Sequence, residues 1–281
     1  MNFNYIIEKI NSANFLESPF KHIYIQDLFD IDDFYHIITS PEINVMGSDD
    51  NDLFNNLFDV GYKIIPFPGC TVDHREYIKW HQGRKVSYKT NSACESFGVV
   101  LRLQSKKSKI ICQLESFLKS KEFIDCIANK FGIEKESFKC DSGIQKYLDG
   151  YEISPHPDIR SKALTYMVNI NPSEESEGID YHTSYLKFRP EWKYIEEFWR
   201  GNSNVERCWV PWEWCQIEKQ QKANNSIVIF SPDNTSMHAV KAKYNHFKHQ
   251  RTQLYGNLWY EKALNYMPSW ESYVIGIKKE N

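Results

Sequence analysis

A chain of 281 residues is long enough for one well-packed domain, and barrels of this length commonly stay single, so residues 1–281 are expected to fold as one unit. The formal net charge of −3 leaves no basic excess, which argues against nucleic-acid or membrane-surface binding driven by bulk charge. No run reaches the roughly 18 apolar residues a membrane span needs. The seven cysteines, Cys70, Cys94, Cys112, Cys126, Cys140, Cys208 and Cys215, are odd in number, scattered and free of any C-x-x-C pair. With an N-terminal MNFNYIIEKINSANF that lacks the apolar core of a signal peptide, they fit free thiols in a reducing, cytoplasmic setting.

Residues 20–40, FKHIYIQDLFDIDDFYHIITS, open with a strand-like run from His22 to Ile25, and Asp30, Asp32 or Asp33 then offers a cap for a helix through Phe34 and Ile38. Residues 41–95 mix Asn, Asp, Gly and Pro with isolated apolar clusters and read as irregular. Between Ser108 and Lys130, Ile111, Leu114, Phe117, Leu118, Phe123, Ile124 and Ile127 recur at helix spacing, which predicts one or two amphipathic helices. From Gly143 the period changes. GIQKYLDGYEI, KALTYMVNI, NSIVIF and RTQLYGNLWY are short runs rich in β-branched and aromatic residues, separated by turn formers. Helices first and strands later predict an α+β chain with a helical part over about 1–140 and an antiparallel sandwich or barrel over about 141–262. Between Pro172 and Asn225 a long insertion carries Trp192, Trp199, Trp209, Trp212 and Trp214, and reads either as a lid or as aromatic packing over the barrel.

The chemistry-bearing residues fall in the β-rich half. His156-Pro157-Asp158 places an imidazole and a carboxylate two apart, on one face of an extended chain. Eighty residues later His238 follows the apolar run NSIVIF. Two histidines and one carboxylate make the facial triad of non-haem iron(II) oxygenases, which leaves coordination positions open. Arg251 heads RTQLYGNLWY, with Gln253, Tyr255 and Asn257 on its face, and a buried guanidinium there would pair bidentately with a carboxylate such as the distal one of 2-oxoglutarate. His246 and His249 are rivals for His238, but their Lys-, Asn- and Gln-rich surroundings read as a solvated turn.

In the order H-x-D, late His, then Arg, the C-terminal half resembles the prolyl-4-hydroxylase and phytanoyl-hydroxylase branches of the Fe(II)/2-oxoglutarate-dependent oxygenase superfamily. The stretches that carry it are YLDGYEISPHPDIRSKALTYMVNINP, YHTSYLKF, NNSIVIFSPDNTSMHAV and QRTQLYGNLWY, with FKHIYIQDLFDIDDF as a lead-in, over roughly residues 18–40 and 109–262. The resemblance implies a double-stranded β-helix, or jelly roll, with N-terminal helices packed against it. It implies Fe(II) held by His156, Asp158 and His238, with 2-oxoglutarate and O2 as co-substrates. Arg251 is then the 2-oxoglutarate anchor, at a spacing from His238 longer than the family's usual one. Tyr147 and Asn169 stand where the family adds further 2-oxoglutarate contacts, with Tyr166 or Thr165 as alternatives.

The carboxylate at Asp158 disfavours halogenation, since related halogenases carry a small residue there; hydroxylation is expected, with desaturation or cyclisation using the same residues. In alternation Arg160 and Lys162 would project on the side of Asp158, so Arg160 is a candidate for binding a substrate carboxylate or phosphate, and His182 a candidate substrate-facing residue. A small polar metabolite, such as an amino-acid derivative or natural-product intermediate, is the expected substrate. A peptide side chain is the alternative, and nucleic acid is disfavoured. The competing classes are a non-catalytic binding module and a metal hydrolase on the same barrel, neither of which needs Arg251.

Overall fold

The computed structural model of the protein describes residues 3–67, 69–83, 97–133 and 138–261. In the first half, apolar residues at helix spacing form α1 (Tyr5–Ser12), α2 (Ile31–Ile38), α3 (Asp50–Asp59), α4 (His74–Gln82), α5 (Lys109–Leu118) and α6 (Lys121–Lys130). Asp30 stands at the N-cap of α2, as the sequence suggests, yet its carboxylate takes the Lys9 ammonium at 3.2 Å instead of a backbone N–H. α3 and α4 lie in the segment read as irregular. What starts them is capping: the Asp49 carboxylate accepts the N–H groups of Asn51 and Asp52, and that of Asp73 accepts the N–H of Arg75. Their apolar stripes are short, so only the caps set them apart from loop. Residues 84–96, with Cys94, and 262–281 lie outside the described residues.

The strands are β1 (Ile23–Ile25), β2 (Tyr62–Ile64), β3 (Val100–Leu103), β4 (Phe138–Tyr147), β5 (Glu152–His156), β6 (Lys162–Asn169), β7 (Thr183–Phe188), β8 (Cys215–Gln220), β9 (Ser226–Phe230), β10 (His238–Lys241) and β11 (Arg251–Tyr260). They form two antiparallel sheets, ordered β1-β9-β6-β11-β4-β3-β2 and β5-β10-β7-β8. From β4 onward the chain crosses repeatedly between them: β4, β6, β9 and β11 join the large sheet, and β5, β7, β8 and β10 the small one. Two expectations change. The first 140 residues are not only helical, because β2 and β3, besides the expected β1, widen the large sheet. The insertion after Pro172 is shorter than it reads, because β7 and β8 inside it are half of the small sheet; the longest stretch that remains is residues 189–214, with α7 (Tyr194–Gly201).

Strand alternation divides the large sheet's two faces. On β6, Leu164, Tyr166 and Val168 pack with Ile6, Ile37, Leu57, Ile111 and Ile127 of the helices. Thr165 and Met167 face the other way, into a cavity shared with the small sheet. Under the helical layer, Lys146 is fully buried, and its three ammonium protons reach the Ile43 carbonyl, Gln250 Oε1 and Thr252 Oγ1, each at 2.7 Å.

Tight packing between β6 and β11 rests on Gly256, which pairs with Tyr166 across the ladder. A Cβ at Gly256 would fall 2.1 Å from Tyr166 Cζ, and that ring is wholly enclosed against Phe123 of α6. Overpacking of this kind typically costs about 1–3 kcal/mol. Gly256→Ala should therefore lower the melting temperature by several degrees, measured by thermal unfolding; an unchanged transition would mean that Tyr166 has somewhere to move.

Candidate active site

The pairing of β5 with β10 sets His156 directly opposite His238, with ring centroids 4.3 Å apart. Each ring uses the same local device. His156 Nδ1–H donates to the carbonyl of Ser154 at 2.9 Å, and His238 Nδ1–H donates to that of Ser236 at 2.9 Å. With the proton fixed on Nδ1, both Nε2 lone pairs are free and converge. Asp158 completes the group: Oδ1 lies 3.6 Å from His156 Nε2 and Oδ2 lies 3.9 Å from His238 Nε2. All three residues are buried, and their ligating atoms lie within 4.8 Å of one another.

Asp158 reaches this position because the strand has ended. Its φ of 64° is left-handed, a conformation Asp tolerates better than most residues, and it turns the carboxylate back under the imidazoles. Lys162 Nζ donates to Oδ1 at 2.6 Å and Thr165 Oγ1 to Oδ2 at 2.8 Å. Burial alone would raise the Asp158 pKa, but the Lys162 ammonium and the two imidazoles hold it well below the usual carboxylate range. Burial and the neighbouring His156 push His238 down to about 3. The site thus presents one carboxylate with a neutral His238, a donor set that suits a divalent metal.

A cavity of about 400 Å³ opens from the triad. On its wall Arg251, 2% exposed, donates from Nη2 to Thr183 Oγ1 at 3.0 Å and lies over the Tyr147 ring at 4.4 Å. Its Nη1 is enclosed and has no partner. Ile153, Met167, Trp209 and Val240 supply apolar wall.

The structure thus brings His156, Asp158, His238, Arg251 and Tyr147 to one cavity. Asn169 does not line it: its amide donates to the carbonyls of Gln221 and Ala223, at 2.9 and 3.2 Å, and its Oδ1 accepts from Gln253, which does line the cavity. Tyr166 belongs to the core on the opposite face, and Thr165 serves Asp158.

His182 also faces away, with Nε2–H directed at the Glu177 carbonyl at 3.2 Å; the alternation of β7 gives the cavity to Thr183 instead. Arg160 is displaced because the alternation that would align it with Asp158 stops at His156. Its guanidinium donates to the carbonyls of Trp199 and Val205, at 2.7 and 3.1 Å. Lys162, Arg102, Arg207 and Trp209 line the cavity and were not singled out as binding residues; strand phase could have found Thr183, but nothing periodic marks Arg207.

His246 is no solvated-turn residue. Among the described residues it forms a second buried group with Asp50 and His81, its Nε2 at 3.1 Å from Asp50 Oδ1, tying the loop before β11 to α3 and α4. His249 sits elsewhere, 3.1 Å from Ser173 Oγ.

Neither a protein-family model nor any curated protein matches the sequence. Among solved structures, the chain is similar to a prolyl-4-hydroxylase from Pseudomonas putida, at 9% identity over 93% of this chain and 100% of that one, with a TM-score of 0.43. A prolyl hydroxylase from Trichoplax adhaerens, in complex with a hypoxia inducible factor oxygen degradation domain peptide fragment, matches at 13% identity over 92% and 89%, TM-score 0.47. An oxidoreductase of the 2OG-Fe(II) oxygenase family from Burkholderia pseudomallei matches at 12% identity over 79% and 95%, TM-score 0.32. At these values the functional assignment rests on the site's own residues. Among the described residues, no helix is long and apolar enough to cross a membrane.

The burial of His182 gives a pH dependence. Desolvation, reinforced by Arg251, lowers its pKa to about 4, so the folded ring is neutral where an unfolded one would take a proton near 6.5. Its contribution to stability is intact above that unfolded value and is lost as pH falls from about 6.5 towards 4. Melting temperatures of metal-free protein should fall across this window, and His182→Gln should flatten part of the slope. An identical slope in the variant would clear His182 of the effect.

Proposed function

We propose that the protein is an Fe(II)- and 2-oxoglutarate-dependent oxygenase that oxidises a C–H bond of a small polar metabolite, such as an amino-acid derivative or natural-product intermediate. The observation that carries this reading is Arg251. A buried guanidinium with one nitrogen on Thr183 and the other unpartnered calls for an anion, and it lies in the same cavity as a two-histidine, one-carboxylate group. A hydrolase or a simple metal-binding module has no use for that anion site.

His156, Asp158 and His238 would hold the iron, and Arg251 with Thr183 would receive the distal carboxylate of 2-oxoglutarate over the Tyr147 ring. When bound, iron and 2-oxoglutarate supply the oxidising power by which O2 converts C–H to C–OH, leaving succinate and CO2. The protein's own groups orient and exclude. Ser154 and Ser236 carbonyls fix the two imidazoles, Lys162 and Thr165 fix the carboxylate, and the apolar wall keeps water from the reacting carbon. The crossing of β4 to β11 between the two sheets supports a double-stranded β-helix, with the ligands at its open end. A cavity of about 400 Å³ favours a small molecule over an extended peptide. Hydroxylation is the expected outcome; desaturation or cyclisation would use the same groups.

Anaerobic addition of Fe(II) and 2-oxoglutarate to purified protein tests this reading. A visible charge-transfer band should appear in the wild type and be absent in His238→Ala. Arg251→Ala should need about ten- to hundredfold more 2-oxoglutarate, the worth of a charge-assisted hydrogen bond. Absence of the band in wild-type protein that has taken up metal would sink the assignment.

A further inference from the structure

Two of the cations that line the cavity, Arg102 and Arg207, are not used by the proposed chemistry, and Arg102 is paired with Asp141. Arg207, in the segment between α7 and β8, is 5% exposed and lines the cavity. Its backbone N–H is bonded to Glu206 Oε1 at 2.9 Å, but among the described residues its guanidinium has no hydrogen-bond or ion-pair partner, and Nε is fully enclosed. Two residues on, Trp209 repeats the pattern. Its Nε1–H is enclosed without an acceptor, while its indole stacks beside His156, centroids 5.9 Å apart. Two unsatisfied donors two residues apart, one of them charged, are costly to bury unless a ligand completes them.

Among the described residues, the other cations near the cavity and in the core have partners. Lys146 has three oxygen partners, Arg160 caps the carbonyls of Trp199 and Val205, Lys162 pairs with Asp158, and Arg102 with Asp141 at 3.0 Å. Arg251 and Arg207 each keep an enclosed N–H group without a partner among the described residues, and the two line the cavity from different walls. Arg251 stands on β11 beside Thr183; Arg207 comes from the segment held against β5 by the Val210 N–H to Pro155 carbonyl bond, 2.9 Å. Arg160 positions that segment, since its own N–H shares Glu206 Oε1 with that of Arg207, at 3.0 and 2.9 Å.

We propose that Arg207 and Trp209 receive an oxyanion of the substrate, so that the substrate class is a small molecule bearing a carboxylate or phosphate, with the reacting C–H between that group and the triad. The inference rests on the oxygenase reading of the same site. The planar fork of Arg207 matches either anion, and the indole N–H adds a second donor beside it. Arg160, which the sequence offered for this role, acts as a positioning residue instead.

The test uses full-length protein loaded with Zn(II) as a redox-inert stand-in for iron and saturated with 2-oxoglutarate. Arginine Nε–H resonances are followed by NMR during titration with N-acetylglycine, N-acetylglycinamide and inorganic phosphate, and affinities are measured by calorimetry. The Arg207 resonance should move saturably with N-acetylglycine or phosphate and stay still with the amide; the tighter of the two anions names the group. Arg207→Gln should weaken that binding by roughly tenfold or more and leave 2-oxoglutarate affinity unchanged. The wild-type titration needs no variant, so a folding defect in Arg207→Gln leaves the answer intact. No saturable movement with either anion, while 2-oxoglutarate still binds, overturns the proposal and spares the oxygenase reading. A 2-oxoglutarate affinity that falls in Arg207→Gln overturns it as well, by giving Arg207 to the co-substrate. Failure of wild-type protein to bind 2-oxoglutarate takes both down.

Discussion

The antiparallel register between β5 and β10 is the constraint on which the site depends. It sets His156 against His238, and each ring is then locked by a carbonyl two residues before it, so that one local arrangement is used twice across a ladder. A slip of one residue would turn one imidazole to the far face of the sheet and leave the carboxylate of Asp158 beside a lone histidine. β10 lies between β5 and β7, so the register is held from both sides, and the same pairing brings Thr183 of β7 into reach of Arg251. The two histidines of the proposed metal site and the proposed anion anchor therefore share one origin in strand pairing, while Asp158 is placed by the turn that follows β5.

Much of this was legible from the chain because the relevant signals are periodic or spaced. The switch from helix spacing to alternating strands, the H-x-D pair, the late histidine and the arginine heading a strand each have a pattern, and the structure brings those residues to one cavity. Side chains lie away from the cavity where alternation stops at a strand end or runs in the other phase. Arg160 lies beyond the left-handed Asp158, so its direction was not that of a strand residue. His182 precedes β7 by one position, and the phase that faces Thr183 inward faces His182 out. Asn169 is in phase but at the sheet's end, where the loop carbonyls of Gln221 and Ala223 take its amide. His246 sits in a polar stretch that composition assigns to solvent, yet Asp50, 196 residues away, gives its ring a buried partner. Long-range pairing of this kind leaves no local trace.

Buried cations divide into two kinds by how their hydrogens are spent. Lys146 meets three oxygens at 2.7 Å, and burial without a carboxylate lowers its pKa well below that of a free lysine. It is finished as folded and organises the strand ends around it. Arg251 and Arg207 are unfinished, since each keeps an enclosed N–H with nothing to accept it. A folded chain tolerates such groups where binding energy later offsets the cost, and that is the role proposed for both arginines.

The segment from Val205 to Trp212 has a second effect that follows from where it lies. β5 is an edge strand, and a bare edge is a template on which another chain can add a strand. Pro155 removes one donor from that edge, the Val210 N–H occupies the Pro155 carbonyl, and the Trp212 indole is tied to Glu152 at 2.8 Å. The residues that face the cavity are thus strung on a strip that also seals the sheet against self-association. Phe97 pairs with Glu152 at the other end of that edge, so a change in the strip would uncover only the stretch around Pro155.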